Sequence, residues 1–70
     1  HEERMELLAA ASVAIGPATV QDLSHEIFPR KHWGVMAESE TFAHLEHLVN
    51  EGRAERWTDD GRLVYRVAVA

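Results

Sequence analysis

Five histidines, twelve acidic residues and three isolated serines carry whatever chemistry this 70-residue chain can do. His44 and His47 stand three apart in "AHLEHLVNEGR". On a helix that spacing puts two imidazoles on neighbouring positions, where they can chelate a metal. Support for such a site is thin, because the chain has no cysteine and no His-Glu-x-x-His. Glu40 and Glu51 could gather beside the pair, but mixed polar residues are the ordinary composition of a solvated helix face. No metal ligand is therefore assigned. His47 is expected to face water, and His44 to lie at the margin of the buried stripe, bonded to a backbone or carboxylate neighbour. Ser24 and His25 are adjacent, so on a helix they point apart and make a poor nucleophile–base pair. Ser12 and Ser39 have no candidate base, and there is no glycine-rich phosphate loop. No catalytic residue and no cofactor is assigned to the chain.

The elements that must position these residues read clearly. "EERMELLAAASVAI" gives a helix over 2–15, with Met5, Leu8, Ala9, Ser12, Val13 and Ile15 as its stripe. Glu2 and Glu3 suit its dipole, and Gly16-Pro17 ends it. Thr19 with Asp22 three residues on reads as a capping box variant opening a short helix, about Val20 to Phe28, stopped by Pro29. "PRKHWG" reads as a loop without structure. The third helix runs from Val35, or from a second start at Ser39, to Glu51. Val35, Glu38, Thr41, Phe42, Leu45, Leu48 and Val49 share one side, and Gly52 closes the end. The period then changes to two. "RAERWT" and "RLVYRVAVA" flank "DDG", a strong hairpin signal. Leu63, Tyr65 and Val67 share one face, and Val64, Arg66 and Ala68 the other. Three helices followed by such a ribbon predict an α+β winged helix over residues 1–70, with a two- or three-stranded wing. The third strand is expected near Ala18-Thr19. A lone hairpin is marginal in water, so it needs the helices behind it.

Composition narrows the partners. The formal net charge is −5, from 12 acidic and 7 basic residues. Nucleic-acid binders draw affinity from neutralised phosphates and read basic. In a DNA-reading winged helix the outer face of the third helix enters the major groove. Here that face holds Met36, Glu40, Ala43, His47, Asn50 and Glu51, and the whole helix lacks lysine and arginine. The arginines lie in the hairpin, at Arg53, Arg56, Arg62 and Arg66. They are weak candidates for nucleic-acid contact, and pairing with Glu55, Asp59 and Asp60 across the ribbon is the preferred account. The longest uncharged run, Leu7 to Gln21, is too short to span a membrane and contains Gly16-Pro17. The opening "HEERME" is acidic where a secretory signal is basic, so the expected location is the cytoplasm. Trp33 and Trp57 are large aromatics in a domain with little core, and at least one is expected on a surface meant for a partner.

The segments "GPATVQDL", "VMAESETFAHLEHLVNEGRAER" and "DGRLVYRV" resemble the C-terminal winged-helix domain of metallo-β-lactamase-fold hydrolases, over nearly the whole chain. The opening "HEERMELL" matches the charged first helix of that family. The resemblance implies an N-terminal catalytic domain in the parent chain, with a dinuclear zinc site built on a His-x-His-x-Asp-His motif. No such motif occurs here, so none of its catalytic residues carries over. It further implies a small domain that packs on the catalytic one and helps shape the substrate entrance. Arg30, Lys31, His32, Trp33 and Met36 are the candidate contact. Two alternatives of other classes stand beside it. One is a DNA-binding regulator, disfavoured by the acidic third helix. The other is a protein-interaction module that self-associates through exposed aromatics.

Overall fold

A computed structural model describes residues 2–68 of the chain. The order is α1 (Glu2–Ile15), α2 (Val20–Ile27), a 3₁₀ turn (Arg30–His32), α3 (Val35–Asn50), β1 (Ala54–Asp59) and β2 (Arg62–Val67). This is the winged-helix-like arrangement of three helices and an antiparallel hairpin.

Local chemistry sets the boundaries. The Thr19 hydroxyl caps α2 by accepting from the Asp22 amide at 3.2 Å. Phe28, which precedes a proline, is extended and ends that helix one residue earlier than predicted. The loop read as structureless contains the 3₁₀ turn, closed by amide bonds from His32 to Pro29 and from Trp33 to Arg30. Helix α3 starts at Val35, not at Ser39. It ends in paired bonds, Gly52 N–H to Val49 and Arg53 N–H to Leu48, with Gly52 at φ 75°. That is a Schellman close, whose left-handed residue is best supplied by glycine. The hairpin turn places Asp60 at φ 54° and Gly61 at φ 79°. Two successive positive φ values define the tight type I′ turn that matches ribbon twist.

The ribbon pairs Ala54 with Val67 through to Asp59 with Arg62. Its third strand is reduced to one bridge, in which Ala18 and Tyr65 exchange both backbone bonds, at 2.8 and 3.1 Å. Leu8, Leu23, Leu45, Leu48 and Tyr65 are fully buried, one or two from each helix and one from β2. Met5, Ala11, Ala18, Ala54 and Val67 complete that core. The Ser12 hydroxyl accepts from the buried Val67 amide at 3.0 Å, fastening α1 to the end of β2. Thr41 and Ser24, also buried, donate to backbone carbonyls of their own helices. Among the described residues no buried side-chain polar atom lacks a partner.

Four side chains assigned to buried stripes stand outside them. Val13 and Ile15 are exposed on α1, and Val35 and Phe42 are exposed on α3. Each lies on the predicted side of its helix, but no other element reaches far enough to cover it. On the ribbon, Leu63 is exposed while Val64, on the opposite face, is buried opposite Trp57.

Candidate docking site

The turn between α2 and α3 is built around Trp33. Its indole N–H donates to the Phe28 carbonyl at 3.0 Å. The His25 ring stacks on it with centroids 3.7 Å apart and planes 14° from parallel. The Arg30 guanidinium lies 5.7 Å from its centroid. An indole held by a hydrogen bond, a stacked ring and a cation has little rotamer freedom left to lose on binding. It nonetheless stays 39% exposed.

The flanking residues are more open still, with Val35 80% and Met36 86% exposed. Two shallow grooves start from them. One is lined by Phe28, His32, Met36, Ala37 and Glu40. The other is lined by Val20, Val35, Glu38, Ser39 and Phe42. Behind the first, Arg4 of α1 stacks over the Phe28 ring at 4.4 Å and pairs with Glu40 at 2.7 Å. This contact joins α1, the end of α2 and α3 beneath the turn. The structure thus gathers Arg30, Lys31, His32, Trp33 and Met36 on one exposed surface segment. It adds Val35 and His25, which sequence reasoning did not select. The exposure of Val35 has no sequence signal, because its spacing matches the core stripe.

The other candidates are dispersed. His47 pairs with Glu51 at 3.2 Å on the open face of α3. His44 is half-buried and lines a groove with Met5, Ala43 and His47. Among the described residues no three of His, Asp or Glu converge as a metal site. Met36, Glu40, Ala43, His47, Asn50 and Glu51 are all exposed, as expected of the outer face of α3.

The hairpin arginines pair differently from the expectation. Only Arg66 finds its partner across the ribbon, at Glu55. Arg53 reaches Glu2 at 3.3 Å and Glu51 at 3.5 Å. Arg56 turns inward to Glu46 of α3, because it stands opposite Tyr65 on the core-facing side. Arg62, although in register with Asp59, has no ion pair among the described residues. The Glu46 carboxylate accepts from both Tyr65 and Arg56, and those bonds hold it below the usual carboxylate range. Burial, then the bond to Glu46, pushes the Tyr65 phenol up to about 12. These groups are tied to one another rather than presented to a substrate.

Residues 5–68 match the family model for the metallo-beta-lactamase-like C-terminal domain. The chain belongs to that family. No curated protein and no solved structure matches it. A metallo-beta-lactamase-like C-terminal domain is by definition associated with an N-terminal part of the same chain. No helix among the described residues is long and apolar enough to cross a membrane.

Proposed function

We propose that this is a non-catalytic accessory domain of a zinc-dependent metallo-β-lactamase-fold hydrolase. It docks on the catalytic domain through Arg30, Lys31, His32, Trp33 and Met36, and helps shape the substrate entrance. The observation that carries the reading is the fixed but exposed Trp33, bordered by Val35 and Met36. Aromatic and methionine side chains that stay open on a small domain are the usual centre of a protein interface. Met36 lies on the outer face of α3, and a covering domain would bury it.

The first test is the coding sequence ahead of His1, which should carry a His-x-His-x-Asp-His motif. The second compares backbone hydrogen exchange over residues 28–37 in the full-length protein and in the 70-residue chain. Protection of this segment in the longer protein is expected. Equal exchange in both would place the contact elsewhere. A Met36→Asp substitution in the full-length hydrolase should lower kcat/KM while leaving the melting of the isolated domain unchanged.

A further inference from the structure

Seven basic residues sit among twelve acidic ones. Four of the seven, Arg4, Arg53, Arg56 and Arg66, are bonded to carboxylates of the same domain. Among the described residues Arg30, Lys31 and Arg62 form no ion pair, and the first two are adjacent in the turn that presents Trp33. In so acidic a chain, cations left unpaired beside an exposed aromatic are available to an outside carboxylate.

Resting on the docking reading above, we propose that the surface receiving this turn is acidic. It is a ring of carboxylates around an apolar socket on the partner domain. Arg30 and Lys31 meet the carboxylates, and Trp33 and Met36 enter the socket. Charge complementarity is the main argument, because a neutral or basic counter-surface would leave the two cations desolvated and unpaired. Arginine's planar fork suits a carboxylate, and Trp with Arg is the composition of an interface hot spot. A nucleic acid fits less well. Val35 and Met36 offer phosphates nothing, and the adjoining α3 carries Glu38 and no lysine or arginine.

The test uses the full-length protein. Exchange over residues 28–37 is followed in wild type, in an Arg30→Glu/Lys31→Glu variant and in an Arg30→Gln/Lys31→Gln variant, at about 50 mM and about 500 mM salt. Charge reversal should reduce protection about tenfold or more, and neutralisation less. Added salt should weaken protection in the wild type alone. Both sites are exposed and form no ion pair, and the contact of Arg30 with the Trp33 ring is a surface one, so the melting of the 70-residue variants should fall by no more than a few degrees. Protection that survives charge reversal and high salt would mean apolar docking only. That outcome overturns the acidic counter-surface and leaves the docking reading intact. Absence of protection in the wild type overturns both. Binding of a labelled random-sequence DNA or RNA oligonucleotide, lost on charge reversal, would reassign the cations to phosphate and overturn the proposal.

Discussion

Tyr65 donates its phenolic hydrogen to Glu46, and this bond ties the second strand of the ribbon to the third helix. Arg56 closes the arrangement from the first strand. Three elements that meet at the core are therefore also joined at its rim. The chain contains one tyrosine, so this junction can be followed without interference.

Tyr65→Phe keeps the ring in the core and removes only the hydrogen bond. The loss should be about 1 kcal/mol. In a domain of this size that corresponds to a fall of roughly 4–8 °C in Tm, measurable by calorimetry. Tyr65→Ala empties a fully buried site and should cost about 3–5 kcal/mol, enough to leave the chain largely unfolded.

Stability should fall at both ends of the pH scale for separate reasons. The folded pKa of Glu46 is lowered, so its contribution is complete above the unfolded value near 4.5. It is lost as the pH drops through that value towards the lower folded one. Tyr65 is shifted the other way. Its contribution is complete below 10.0 and disappears as the pH rises from there to about 12. Denaturant titrations across pH should show both limbs. Glu46→Gln should flatten the acid limb. Tyrosinate absorbance in the folded chain should rise with a midpoint near 12, against 10.0 in denaturant. A folded midpoint at 10.0 would show the phenol to be free.

Ser12→Ala should cost about 1–3 kcal/mol, because it orphans the buried Val67 amide. Hydrogen exchange at Val67 should accelerate more than exchange at residues of α2. A uniform acceleration would mean that the bond has no local role.

Leu45→Ala, at a fully buried position of α3, should cost about 2–5 kcal/mol. Met36→Asp on the same helix should change stability by less than about 0.5 kcal/mol. Urea midpoints compare the two, and the contrast separates the covered face of α3 from the open one.

The helices and the hairpin were legible because their signals are local. Gly16-Pro17, the Thr19 cap, Gly52 and "DDG" each act within a few residues. The limits of burial were not. Periodicity names the side on which Val35 and Phe42 lie, but only the reach of α2 and the ribbon decides where cover stops. The stack of His25 on Trp33 was hidden for a related reason. It depends on the path of the chain after Pro29, which doubles back through a 3₁₀ turn. The Arg56–Glu46 pair could have been found. Tyr65 and Val67 face inward, and a two-residue turn at Asp60-Gly61 sets Arg56 opposite Tyr65, so Arg56 lies on the inner side as well, away from Asp59. As for the docking segment, its composition was readable, but its openness was visible only in three dimensions.

The bridge from Ala18 flanks β2 on one side, and β1 flanks it on the other. Among the described residues nothing flanks the far edge of β1. Its guards are charges, Glu55, Arg56 and Asp59, rather than a proline or a covering helix. The net charge of −5 that keeps copies apart at neutrality vanishes near the isoelectric point of about 5.4. Strand-to-strand polymerisation through this hem should then be fastest near that pH and slow again in stronger acid, where the chain is cationic.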